Sequence, residues 1–196
     1  MKKIILIGAG GHCASCIDVI ENEKKFNIMG LLDINKNSSI NDYKILGDDS
    51  YLNKKINKNT FVLITIGQIK NYKLREKIYK KIKKLKLKVA KIISPMAYVS
   101  KKSKIGEGSI LMHGVIINAG AKIGKNCIIN SKALIEHDVT IQDNCHISTG
   151  AIVNGGTVVK KNTFIGSNSV INNNIIIEEN SVVSANTFVK KNKKST

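Results

Sequence analysis

From Ile93 to Val189 an aliphatic residue returns at every sixth position. The unbroken series is Ile93, Val99, Ile105, Leu111, Ile117, Ile123, Ile129, Ile135, Ile141, Ile147, Val153, Val159, Ile165, Ile171, Ile177, Val183 and Val189. Four residues after each aliphatic sits a small or β-branched residue, as at Ser109, Ala121, Cys127, Ala133, Cys145, Ala151 and Thr157. Three residues after it, Gly or Asn dominates, from Gly108, Gly114 and Gly120 to Asn174, Asn180 and Asn186. Both types tolerate left-handed backbone angles, so each hexad supplies a short strand and a turn. The aliphatic points inward, the small residue fills a crowded second inward site, and Gly or Asn turns the corner. Repeats of this kind cannot bury a hydrophobic face alone and must stack into a continuous core.

The first half has a different period. Lys3–Ile7 reads as an apolar strand, followed by Gly8-Ala9-Gly10-Gly11-His12 and an amphipathic helix over Ala14–Lys24. Phe26–Leu32 reads as a second strand ending in Asp33, and Asn35–Gly47 as a polar loop. Thr60–Ile66 is a third strand ending at Gly67, and Ile69–Leu87 has helical spacing through Leu74, Ile78, Ile82 and Leu85. Strand–helix alternation predicts a small parallel α/β sheet. Two domains are expected, residues 1–92 and residues 93–196.

Composition narrows the class. The chain has 196 residues, 32 Lys and Arg against 14 Asp and Glu, and a net charge of +18. Such a charge suits nucleic acid, yet Arg75 is the single arginine in the sequence. Base reading relies on the planar arginine fork, which lysine lacks. Residues 1–92 carry 20 basic and 8 acidic groups, much of the excess in Lys70–Lys91, where it reads as one solvated helix face. Apolar runs such as Ile4–Ile7 are too short for a membrane span, and Met1-Lys2-Lys3 leads into too short a run for a signal peptide. The expectation is a cytoplasmic protein that binds neither membrane nor nucleic acid, with a basic nucleic-acid binder as the competing class.

Several residues could carry chemistry. Glycines between a strand and a helix allow close backbone approach, and the helix N-terminus favours anions, so GAGGH is either a phosphate cradle or a structural tight turn. Asp33, some twenty residues on, sits where Rossmann folds place a ribose or base contact. His137 follows an inward aliphatic by two residues and therefore projects outward from a turn; Asp138 beside it could orient the imidazole or raise its basicity. His146 lies nine residues on, half a coil round. Cys13-x-x-Cys16 has no second pair to complete a zinc site, and Cys127 and Cys145 fall in the small inward phase as core. No metal is expected.

The ordered set is more specific than any one motif. GAGGH near the N-terminus, LLD about twenty residues later, IG before a helix containing Arg75, then NS-x5-HD and a further His, all beside hexapeptide repeats, resemble the bacterial hexapeptide-repeat sugar acetyltransferases. These include sialic-acid O-acetyltransferases and N-acetyltransferases acting on nucleotide-linked 4-amino-4,6-dideoxy sugars of the bacillosamine and legionaminic acid pathways. The resemblance implies a Rossmann-like nucleotide-sugar domain followed by a left-handed parallel β-helix of triangular section. It implies acetyl transfer from acetyl-CoA, with His137 as general base and Asp138 tuning it. Asn130 would lie in the acceptor pocket, with Gly10, Gly11, His12, Asp33, Ile34 and Gly67 holding the nucleotide sugar. His146 would contact the pantetheine arm and Gly155 would aim its N–H at the thioester oxygen. Ser167 and Ala185 would complete the coenzyme site in a homotrimer whose coenzyme lies between neighbouring β-helices.

The chain departs from the family pattern at three places. Gln68 follows the glycine matching Gly67, where Asn is frequent; Ile34 replaces a second acidic residue; and the ending is Lys190-Lys191-Asn192-Lys193-Lys194-Ser195-Thr196 rather than G-x-P-A-K. That ending either frames the coenzyme's 3′-phosphate or is a frayed solvated end, the second being the expectation. His113, His137 and His146, spaced by 24 and 9, do not match the three histidines of zinc carbonic anhydrases built on the same β-helix. O-acetylation of a sialic-acid-like sugar is the nearest alternative to N-acetylation.

Overall fold

A computed structural model describes residues 1–35, 39–53, 56–69 and 71–195. Its first part contains β1 (Lys2–Ile7), α1 (Gly11–Glu23), β2 (Phe26–Leu32), β3 (Ser39–Ile40), β4 (Tyr43–Gly47), β5 (Phe61–Ile64), α2 (Lys73–Lys84) and β6 (Lys88–Val89). They form one sheet in the order β3-β4-β2-β1-β5-β6, parallel except for the β3–β4 edge pair. The apolar run Ile4–Ile7 is buried at the sheet centre.

Two sequence expectations change here. Asn35–Gly47 is not simply a loop: β3 and β4 extend the sheet, with residues 36–38 outside the described residues. Tyr43, Ile45 and Leu46 supply enough apolar surface to cover that edge of β2. The α1 helix also begins at Gly11, three residues before the predicted start, so the glycine loop itself opens the helix. Gly8, at φ +103, is required there because a Cβ would collide with Ile66.

The second part is a left-handed parallel β-helix. Three parallel sheets of six, six and five two-residue strands stack at an interval of 18 residues, as in Ile110↔Ile128↔His146. The first face opens with Ile92–Ile93, the second with Tyr98–Val99 and the third with Lys104–Ile105. The small inward residues Ser109, Ala121, Cys127, Ala133, Cys145 and Thr157 are buried as expected. Left-handed φ angles mark the corners at the predicted Gly and Asn positions, and also at Lys132 and Asp138, both at φ 59. Asparagines at the third corner form a ladder, each amide donating to the next, from Asn126 to Asn144 (2.9 Å), Asn162 (3.2 Å) and Asn180 (3.0 Å).

Outward positions distinguish the three faces. On the first, Ile92, Ile110 and Ile128 point outward yet are fully buried, because the N-terminal domain docks there and shares one core with the β-helix. The second face presents Tyr98, Ile116, Leu134, Ile152, Val170 and Phe188, an apolar column left exposed or half-buried, with the Lys190 ammonium over the Phe188 ring. The third is more polar, with Lys104, Lys122 and Thr140 outward.

The expected frayed ending is corrected through Ser195; Thr196 lies outside the described residues. Lys193 N–H donates to Ile176 O (3.0 Å), Glu178 N–H donates to Lys193 O (2.9 Å), and Asn192 Oδ1 accepts from Ile176 N–H (2.8 Å). The last strand of the third face would otherwise leave its backbone groups unpaired, and the tail satisfies them.

Replacing the fully buried Ile147 by Ala should cost about 2–5 kcal/mol, whereas Lys104→Ala, on the exposed third face, should stay within about 0.5 kcal/mol. Denaturant melts of the two variants check this contrast.

Candidate active site

The N-terminal domain holds a cleft of about 480 Å³ at the carboxyl ends of β1, β2 and β5. Gly10, Gly11, His12, Asp33, Ile34 and Gly67 all line it, so the structure gathers every nucleotide-sugar residue expected in this domain. Asn130 is not among the lining residues; it lies on the first corner of the β-helix. Helix α1 enters the cleft with Gly10 as its cap and no side-chain capping bond, leaving N–H groups of its first turn available to an anion.

Asp33 has a bracing role that spacing alone did not show. Its Oδ2 accepts from Ala9 N–H at 2.7 Å and its Oδ1 from Asn35 N–H at 3.0 Å. Thr65 Oγ1 holds the other side of the glycine loop, donating to Gly8 O at 2.6 Å. Thr65, Asp49 and Leu74 are cleft residues that sequence reasoning missed. Asp49 comes from a short 3-10 segment with no motif to reveal it.

His137 stands at the second corner with its side chain 63% exposed. Its Nδ1–H donates to Asp138 Oδ2 at 2.9 Å, which leaves Nε2 with its lone pair outward. The arrangement depends on two unusual backbone positions. Asp138 occupies the left-handed corner slot, and Gly120 one coil below, at φ +77, leaves room for Asp138 Oδ1, which a Cβ there would displace. Gly155, one coil above His137, would place a Cβ only 2.6 Å from Nε2. The imidazole therefore lies across a bare stretch of main chain. Among the described residues Gly155 N–H has no partner, so the site sets a proton acceptor beside a free backbone donor.

His146 is elsewhere, on the first face and only 6% exposed. Its Nδ1 meets Gln68 O, its Nε2 faces Asn130 Nδ2 at 3.4 Å, and its ring stands edge-on to Phe164. Burial lowers its pKa to about 4, the Gln68 carbonyl opposing and Arg75 adding to the fall. His12 is likewise lowered to about 4, by burial first and then by Arg75 and His146. Ser167 and Ala185 stack 18 residues apart on the first corner, with Ser167 Oγ 2.9 Å from Ser148 Oγ. In a single chain, then, His137 with Gly155 and Ser167 with Ala185 occupy different corners flanking the second face.

His113 makes a linkage the sequence did not reveal. Its Nδ1 lies 2.7 Å from Ser94 Oγ and its Nε2 2.6 Å from Asp18 Oδ2, joining α1 to the first coil. The order Ser–His–Asp is that of a nucleophilic triad, but Ser94 is 1% exposed and accepts from Met96 N–H, so the group fastens rather than reacts.

Comparison with known proteins finds relatives of both parts of the chain. The PglD N-terminal domain family matches residues 3–82, and the bacterial transferase hexapeptide family matches residues 102–137, 120–155 and 156–191. No curated protein sequence matches the chain significantly. Among solved structures, PerB from Caulobacter crescentus in complex with CoA and GDP-perosamine is 25% identical, with a TM-score of 0.93 over 100% of this chain and 92% of that one. The acetyltransferase domain of PglB from Neisseria gonorrhoeae in complex with acetyl coenzyme A is 24% identical, with a TM-score of 0.92 over 98% and 92%. WeeI from Acinetobacter baumannii is 22% identical, with a TM-score of 0.62 over 97% of both chains. The two-part fold and the family resemblance read from the sequence are both borne out.

Two outcomes follow from the site. Gly155→Ala should displace the His137 imidazole and abolish its alignment while the fold melts as before, measurable as lost turnover at an unchanged melting temperature. His12 and His146 bind protons more weakly folded than unfolded, so stability is full above the unfolded value of 6.5 and falls as pH drops toward 4. Urea melts across that window should show the loss, and His146→Asn should flatten part of it.

Proposed function

We propose that this chain, which belongs to the bacterial hexapeptide-repeat transferases carrying a PglD N-terminal domain, moves acetyl from acetyl-CoA to the 4-amino group of a UDP- or GDP-linked 4-amino-4,6-dideoxy sugar. The observation that carries the reading is the His137–Asp138 pair crossing Gly155 at an exposed corner. Nε2 of His137 takes the proton as the acceptor nitrogen attacks the thioester carbonyl. Gly155 N–H receives the negative charge that develops on the carbonyl oxygen, and coenzyme A leaves as its thiol. Asp138 keeps the ring in the tautomer with Nε2 bare and stabilises the imidazolium once it forms.

The cleft of the first domain supplies the acceptor site. Gly10, Gly11 and the open N-terminus of α1 suit a diphosphate, with His12, Asp33, Ile34 and Gly67 around it and Asn130 toward the sugar. Ser167 and Ala185 would serve a coenzyme bound by a second copy, since they lie on a different corner from His137. The apolar column Tyr98, Ile116, Leu134, Ile152, Val170 and Phe188 runs between those corners and supports a homotrimer closed on the second face. No helix among the described residues is long and apolar enough to cross a membrane; the proposed location is the cytoplasm, where acetyl-CoA is made.

A coenzyme-release assay across UDP- and GDP-linked 4-amino sugars tests the reaction. His137→Ala should lower turnover by about 10²–10⁴-fold; full activity in that variant overturns the mechanism. Free UDP or GDP should bind the wild type, and failure of both would favour O-acetylation of a free sialic-acid-like sugar.

A further inference from the structure

The joint between the two domains contains a chain of hydrogen bonds that the proposed chemistry leaves unused. It starts in the loop after β5, where Ile66 and Gly67 line the cleft. Fully buried Arg75 gathers this loop: Nη1 donates to Ile64 O at 3.1 Å and to Ile66 O at 2.6 Å. Its Nη2 reaches across to Asn126 O at 3.2 Å and Asn126 Oδ1 at 2.8 Å, at the head of the asparagine ladder. Gln68, next to Gly67, donates from Nε2 to Asn144 O at 2.8 Å and offers its main-chain carbonyl to His146 Nδ1.

A carbonyl can only accept, so Nδ1 of His146 carries the proton. The ring is buried beside Arg75 and stays neutral, which leaves Nε2 as an acceptor facing Asn130 Nδ2 at 3.4 Å. Asn130 Oδ1 already accepts from Ser131 N–H at 2.8 Å, and this fixes which end of the amide meets the ring. Both ring nitrogens are thus engaged within the chain.

We infer that Gln68 and His146, with Arg75 bracing the same loop against Asn126, are positioning residues that tie the loop of the nucleotide-sugar cleft to Asn130, so that the cleft and the acceptor-facing amide are held in one alignment. The inference rests on the proposed reaction for the roles of the cleft and Asn130. Ligand held against Gly67 would fix the carbonyl of Gln68, and through it the ring and the amide.

The test combines kinetics with a measurement that needs no turnover. In the whole protein, nitrogen-15 NMR of the imidazoles should show His146 as the neutral Nδ1–H tautomer from about pH 5.5 to about 8. Gln68→Met, which removes the amide donating to Asn144 O, should lower kcat/KM for the nucleotide sugar about tenfold or more with the acetyl-CoA KM unchanged, and His146→Ala should lower it by a similar factor. The double variant should be no worse than the poorer single one, and His146→Asn, which keeps a donor toward Gln68 O, should recover part of the loss. A raised acetyl-CoA KM with an unchanged nucleotide-sugar KM in Gln68→Met overturns the inference, as does an Nε2–H tautomer. Should His146→Ala fail to fold, Gln68→Met and the tautomer decide. If wild type transfers no acetyl group, the proposed reaction fails by itself; the tautomer and the binding of UDP and GDP to wild type and Gln68→Met then decide the inference, with unchanged binding in the variant counting against it.

Discussion

Backbone pairing at a fixed interval of 18 residues governs the β-helix and everything mounted on it. Each strand has only two residues, so no strand could hold its place alone, and register is enforced by all three faces at once. Every outward side chain then has a known neighbour one coil away, at the strand spacing of about 4.8 Å. Gly155 stands above His137, and Gly120 stands below Asp138, because the interval allows nothing else. The proton acceptor and the backbone donor are arranged by main-chain geometry, before any side-chain packing contributes.

The same interval builds the surface on which the first domain sits. Ile92, Ile110 and Ile128 form a column that burial against the N-terminal domain turns into shared core. A charge inside that joint would ordinarily be expensive. Arg75 offsets this by meeting four oxygens, three of them main-chain carbonyls, while its lowered pKa of about 10 still leaves it charged near neutrality.

The six-residue period was legible because it belongs to the chain itself. Inward aliphatics, small residues and Gly or Asn corners each answer a local demand, and so do the strands and glycine loop of the first half. What stayed hidden depends on the 18-residue repeat or on long-range contact. Which outward column docks a domain follows only from comparing every third hexad, where Ile92, Ile110 and Ile128 separate from Lys104 and Lys122. Gln68 and His146 are 78 positions apart, and nothing local links them. Lys132 and Asp138 take left-handed angles despite their residue types, imposed by the coil on either side. His137 and Asp138 were readable as a pair because they are adjacent; the Gly155 beside the ring needed the family pattern.

The paired ending of the chain bears on how the protein behaves in a crowded solution. A stack of parallel coils has no intrinsic reason to stop: a bare final strand is a template, and identical molecules could add to it end on, as fibrils grow. Here the strand Ile176–Ile177 is already occupied by Asn192 and Lys193. The occupying segment also carries Lys190, Lys191, Lys193 and Lys194. On this face a second molecule meets paired hydrogen-bonding groups and a like charge, so strand addition to Ile176–Ile177 is blocked.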